Sequence, residues 1–212
     1  MSKYIFCDTN KEIIAEFENA FQSRRDSIVY NGKFTDFFKY NPRGVAFVCP
    51  MTSLGYINNK FVEEFPLLPD LINQKIQQHG TTNLSGDKFI EIGSAISVLY
   101  DEETRFRVLC VSTMYTPQDI SLTENIFYAF LAVKNLVQKI NIKYPDDIIS
   151  TVICPSLATD LDPKYMVEQM EKALRSVRNR DFRVGIPYIY FNNDACKDQE
   201  MIDENLEFLL TY

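Results

Sequence analysis

With 212 residues, 46% of them hydrophobic, the chain can bury one sizeable core, which argues against a disordered or tail-like protein. Its 29 acidic side chains outnumber 22 basic ones, a formal charge of −7 that repels phosphate backbones, so nucleic acid is not an expected partner. The densest basic groups, Arg24-Arg25 and Arg175, Arg178, Arg180 and Arg183, each fall at or just beyond the end of a predicted helix, where cations complement the helix dipole.

The opening residues MSKYIFCD carry no apolar run of signal-peptide length, and no stretch nears the ~18 uninterrupted apolar residues of a membrane span. The expectation is a cytoplasmic chain without membrane contact. Five cysteines, Cys7, Cys49, Cys110, Cys154 and Cys196, are odd in number, and four of them fall in or at the ends of strand-like runs. That pattern reads as reduced, packing thiols.

Lys3–Cys7 reads as a strand, followed by a helix that a capping box of Thr9 and Glu12 would start. Ile13, Ile14, Phe17, Ala20 and Phe21 give that helix one apolar face, and a strand near Ser27–Tyr30 follows. Gly44–Cys49 is continuously apolar, as a central strand buried on both faces requires. The segment 69–79 predicts a helix with Asp70 near its start, His79 at its end and Gly80 as its stop. Ser94–Tyr100 and Arg107–Val111 predict a hairpin around the charged turn Asp101–Thr104.

A long helix is predicted from a capping box at Ser121-Leu-Thr-Glu124 toward Ile140, its apolar face running from Leu122 through Ile126, Phe130, Val133 and Val137. Ser150–Cys154 is another buried strand. Asp162 and Pro163 then mark a helix start, with Met166, Met170, Ala173, Leu174 and Val177 as its apolar face. A strand near 187–191 and a helix from about 199 to 210 complete the chain. The alternation predicts an α/β three-layer α/β/α sandwich with a mixed, largely parallel sheet, forming a single domain over 1–212 in which 181–212 stands as a C-terminal appendage.

Two predicted strands end alike, at Phe47-Val-Cys-Pro50 and Val152-Ile-Cys-Pro155. Ligands of open α/β sheets bind beyond the carboxyl ends of neighbouring strands, so if these two are neighbours their loops face one cleft. The candidate ligand-binding residues are Thr52, Ser53, Gly55 and Tyr56 in the first loop, Thr113 in the segment before the long helix, and Ser156, Leu157, Ala158, Thr159 and Asp160 in the second. Free N–H groups at the Asp162 helix start would suit a phosphate.

Each candidate has a plain competitor. Ser53, Thr113, Ser156 and Thr159 would equally satisfy local backbone groups, and Tyr56 and Tyr115 would equally be rim packing. Cys49 and Cys154 read as packing residues ahead of a thiol pair or metal site. His79, the one histidine, reads as a helix-end cap, which removes His-based triads and multi-His metal sites. No metal, cofactor or catalytic residue is assigned, and Asp146-Asp147 and Glu102-Glu103 read as solvated turn charges.

Over roughly 3–178 the chain resembles the macro domain family, in the macro-like branch where a strand-helix-strand unit precedes the first binding loop. The resemblance is carried by Tyr4-Ile-Phe-Cys-Asp8 with its helix, the Ser53–Ile57 turn, Thr113-Met-Tyr-Thr-Pro117, Thr123-Glu-Asn125, and Cys154–Thr159 followed by Gln169-Met170. It implies a mixed sheet between helices and a cleft for ADP-ribose or a related nucleotide or phosphorylated metabolite, with ADP-ribosylated protein as a further partner and ADP-ribosyl hydrolysis as the activity of some members. The family's Ala-Asn before the first loop is Met51-Thr52 here, its glycine run is Asn58-Asn59-Lys60, its adenine-reading acid falls near Lys33, and its second glycine loop is Ser156–Asp162.

Glycines in such loops let backbone N–H groups approach a pyrophosphate; Leu157, Ala158 and Asp160 do so less readily, and Asp160 adds negative charge. The expectation is therefore a partly open cleft with weak ligand affinity. The alternative is a degenerate macro fold serving protein interaction through 183–212, with Phe191, Phe208, Leu209 and Tyr212, and hydrolysis ranks last, Asn58, Asn59 and Asp160 being the residues left to position water.

Overall fold

Strand and helix alternate in the computed structural model as the periodicities predict. It describes residues 2–40 and 43–176, so the elements expected at 187–191 and 199–210, the docking residues beyond 183, Cys196, and Arg178, Arg180 and Arg183 lie outside the described residues. In chain order come β1 (Lys3–Asp8), α1 (Lys11–Phe21), β2 (Ser27–Asn31), a 3-10 helix (Phe34–Tyr40), β3 (Val45–Thr52), α2 (Asn59–Glu64), α3 (Leu68–His79) and the two-residue strands β4 (Thr81–Thr82) and β5 (Lys88–Phe89). They are followed by β6 (Ala95–Asp101), β7 (Phe106–Met114), α4 (Asn125–Lys143), β8 (Thr151–Pro155) and α5 (Pro163–Arg175). Six strands form one sheet in the order β2-β1-β8-β3-β7-β6, parallel throughout except for the β6–β7 hairpin.

Strand parity divides the core in two. Ala46 and Val48 of β3, Val152 and Cys154 of β8, and Tyr4 and Phe6 of β1 join the apolar faces of α1, α4 and α5 on one side. Phe47, Cys49 and Met51, with Ile153 and Cys7, join α2 and α3 on the other. The alternation follows from successive side chains leaving opposite faces of a strand. On the first side Phe6 stacks on Phe21 at 3.9 Å between ring centroids and 9° between planes, with Phe17 and Phe130 at 5.4 and 5.8 Å. Among the described residues no helix is long and apolar enough to cross a membrane.

Two helix starts differ from the sequence reading, one by a single residue and one because a distant side chain supplies the cap. Asp8 accepts from the N–H groups of Thr9 and Asn10, both at 2.8 Å, so Asn10 rather than Thr9 caps α1, accepting from the N–H of Glu12. The capping box at Ser121 does not form. α4 starts four residues later, and the N–H of Phe127 is satisfied by Oε1 of Gln169 from α5 at 3.0 Å. Leu122 is consequently 96% exposed instead of lying on the buried face.

Arg175 lies in the last turn of α5, as expected, but two other charged residues have specific partners. Arg24 lies beyond the end of α1 and pairs with Asp26 through two contacts of 2.9 Å, instead of complementing the dipole. Asp147 is not a solvated turn charge, because its Oδ2 accepts from Arg105 and from Arg107, the latter at 2.6 Å. At the end of α3, His79 occupies the last turn and Gly80 is the cap, in extended rather than left-handed backbone.

Candidate functional site

β3 and β8 are parallel neighbours, so the two Cys-Pro ends do face one region. Their ladder is short: it pairs only Val45–Phe47 with Thr151–Ile153, after which β3 continues against β7 and β8 against β1. Pro50 and Pro155, which have no N–H to donate, stand where the ladder has lapsed. Above the gap lies a cleft of about 690 Å³, lined from the ends of β1, β3, β7 and β8 and from the segments that follow them.

Eight of the ten sequence candidates line this cleft: Thr52, Tyr56, Thr113, Ser156, Leu157, Ala158, Thr159 and Asp160. Their availability differs. Thr52 Oγ1 already accepts from the N–H of Tyr56 at 3.1 Å, closing the turn, while the Tyr56 ring stands 66% exposed at the rim. Thr113 is buried, with Oγ1 donating to the carbonyl of Met51 at 3.4 Å and its own carbonyl accepting from Asn125. Leu157 belongs to the α1–α4–α5 core, and Thr159 and Asp160 are exposed.

Ser53 and Gly55 do not line the cleft. Ser53 is fully buried and shares a 2.9 Å hydrogen bond with Ser112 Oγ in the sheet. Gly55, at φ +86°, faces α3: a Cβ there would lie 2.8 Å from Ile76 Cδ1, so the glycine serves the packing of the turn rather than an approaching phosphate. The start of α5 likewise does not line the cleft. Pro163 has no N–H, the N–H of Tyr165 is taken by Asp162 at 2.9 Å, and the lining stops at Leu161.

Tyr115, outside the lining, packs edge-on against Phe89 at 5.7 Å and accepts from Asn83, which is the packing alternative. Cys49 and Cys154 leave opposite faces of the sheet, so they form neither a thiol pair nor a joint metal site. Cys49 instead neighbours Cys110 on β7, and burial pushes both the Cys49 and Cys154 thiols well above their ordinary pKa. Cys7, in the cleft floor, is pushed up to about 12 by burial and by the nearby Asp8 and Asp36. Such thiols stay protonated and unreactive. Among the described residues no group of three or more His, Cys, Asp or Glu side chains is placed to hold a metal.

The residue the sequence reading missed is Asp8. From the end of β1 it reaches across to β8, accepting from Ser156 Oγ at 2.5 Å through Oδ2 while Oδ1 holds the start of α1. Only the placement of β1 beside β8 brings it to the cleft, and no local pattern announces that pairing. Phe34, stacked on Phe61 at 4.9 Å, forms an aromatic wall beside Lys33, the position singled out from the resemblance. Around the lining, the carboxylates of Asp8, Glu63, Glu64, Asp119 and Asp160 outnumber the ammonium groups of Lys33 and Lys60, a net of −3. A free diphosphate would meet a repulsive field there.

No family model and no curated protein matches this chain.

Proposed function

We propose that the chain is a macro-like module whose cleft binds ADP-ribose or a related nucleotide-like or phosphorylated metabolite, with low affinity. The observation that carries this reading is the cleft itself: about 690 Å³, within the range of small-molecule sites, at the carboxyl ends of adjacent parallel strands and between the two loops that the resemblance picks out. The Phe34–Phe61 wall and the exposed Tyr56 offer stacking surfaces for a base or ribose. Low affinity follows from the net −3 lining and from the Thr52, Thr113 and Ser156 hydroxyls already spent on internal bonds. Titration calorimetry against ADP-ribose, NAD, ADP and nucleoside monophosphates tests it. Correctly folded protein that gives no heat at millimolar concentrations of all four removes it.

Those same features favour a second reading, a macro-like fold serving as a protein-interaction or structural module with no small-molecule ligand. Partner capture that survives saturation with every nucleotide above would support it. Hydrolysis of an ADP-ribosyl bond ranks last, since Asn58 already caps α2 by accepting from the N–H of Lys60 at 3.0 Å. Release of ADP-ribose from a mono-ADP-ribosylated substrate would reverse that ranking.

A further inference from the structure

A separate cavity of about 320 Å³ lies where α3, the edge strand β6, the start of β7 and Tyr144 meet. It is at the opposite end of β7 from the cleft, about 20 Å along the strand from Thr113. Two side chains in its wall stand out. Arg107 is only 9% exposed, and its Nη2 donates to Asp147, but its Nε is buried without an acceptor among the described residues. Ser97 Oγ is buried and equally without a partner. Leu99 of β6 is paired with Arg107, and Ser97 stands two residues before Leu99, which makes Ser97 and Arg107 diagonal neighbours on the same face of the hairpin.

A guanidinium cannot shed its proton, so a buried N–H left without an acceptor is a standing cost that native proteins meet with a water or a ligand. The local charge selects between them. Asp147 is shared by Arg105 and Arg107, two positive charges on one negative, leaving a net +1 in a chain whose total is −7. On the same face of the sheet as Arg107 and Ser97, the cavity wall includes Leu99, Ile140 and Tyr144. We propose that this cavity binds a small amphipathic carboxylate. Its head accepts from Nε of Arg107 and Oγ of Ser97, and its hydrocarbon body lies on Leu99, Ile140 and the ring of Tyr144. The site is independent of the nucleotide cleft.

The test is a titration of the isotope-labelled full chain with butyrate, benzoate, acetate and inorganic phosphate at constant ionic strength, following the Arg107 Nε–H resonance. Butyrate and benzoate should give a saturable shift with a Kd of about 1 mM, and acetate and phosphate, lacking the apolar body, should bind about tenfold more weakly. Ser97→Ala, which keeps the strand and removes one donor, should weaken benzoate about fivefold. Arg107→Lys should abolish the saturable response, read from the backbone amides of 97–99. Three results overturn the proposal: no saturable shift with any probe up to about 50 mM, which leaves water as the partner; a benzoate response untouched by Ser97→Ala; or equal binding of benzoate and phosphate.

Discussion

Gly55 and Gly86 offer a paired measurement of what the first loop requires of its glycine. Their backbones are nearly identical, φ +86° and +87°, but a Cβ at Gly86 would meet nothing within 4 Å, whereas at Gly55 it would lie 2.8 Å from Ile76 Cδ1 and 3.0 Å from Ile72 Cγ2. Alanine at either position bears the same left-handed penalty, about 1 to 2 kcal/mol. Only at Gly55 does a packing penalty add to it. Ile72 and Ile76 are themselves buried in the α3 side of the core, so their methyl groups have little room to retreat, and overpacking of this kind costs about 1 to 3 kcal/mol. Gly86→Ala should therefore lower stability by about 1 to 2 kcal/mol and Gly55→Ala by about 2 to 5 kcal/mol. Urea unfolding under reducing conditions reads both, as shifts of the midpoint at unchanged slope. Equal losses in the two variants would refute the reasoning, because the turn would then rest on α3 without depending on the missing side chain.

Lys134 of α4 gathers the end of α5, its Nζ donating to the carbonyls of Ala173, Leu174 and Ser176 at 3.3, 3.0 and 2.5 Å. Lys134→Met should cost about 1 to 2 kcal/mol and raise amide exchange at the end of α5, and unchanged exchange there would remove Lys134 as its cap. Acid should also weaken the fold. The hydrogen bond from Arg24 draws the Asp26 carboxyl below its ordinary pKa; at Asp147 burial pushes upward, but the bonds from Arg107 and Arg105 outweigh it and the net shift is downward. A depressed folded-state pKa contributes stability that is full above the unfolded value, about 3.9, and lost as pH falls through the folded one. Urea midpoints should thus hold from pH 7 to about 5 and drop below about 4, with a shallower drop for Asp147→Asn. A midpoint that rises on acidification contradicts this assignment.

What could be read from the sequence was whatever a single segment encodes. The continuous apolar run of β3 gave its central position, the three- and four-residue spacing of apolar residues in α1 its buried face, and Asp101–Thr104 the β6–β7 turn, where Asp101 accepts from the N–H of Glu103 and from Thr104 Oγ1. The shared Cys-Pro endings located the cleft because both strands turn out to be parallel neighbours. What failed depended on partners distant in the chain. Gln169 replaces a local cap on α4, Ser112 takes the hydroxyl of Ser53, and Arg105 with Arg107 recruits Asp147 from about 40 residues away. Asp8 was invisible for the same reason, since its neighbour Ser156 lies 148 residues on. The small helix α2 escaped notice because six residues with one buried side chain, Phe61, carry no periodicity to detect.

The brevity of the β3–β8 ladder has a mechanical consequence. The sheet is stitched along its midline by three paired positions, with β2-β1-β8 on one side and β3-β7-β6 on the other, and the cleft is the notch above the last stitch. Widening that notch breaks no rung beyond Phe47 and Ile153, because beyond them there is none to break. The resistance falls on side chains packed across the seam, because the bond from Ser156 to Asp8 lies within the β1–β8 half and does not cross it. Each loop rides on its own half of the sheet, so a change in the angle between the halves alters the distance between Tyr56 and Thr159 while leaving each loop's internal geometry intact. The width of the opening is thus a property of the midline seam, and substitutions at Val48 or Cys154, neither of which lines the cleft, would tune it.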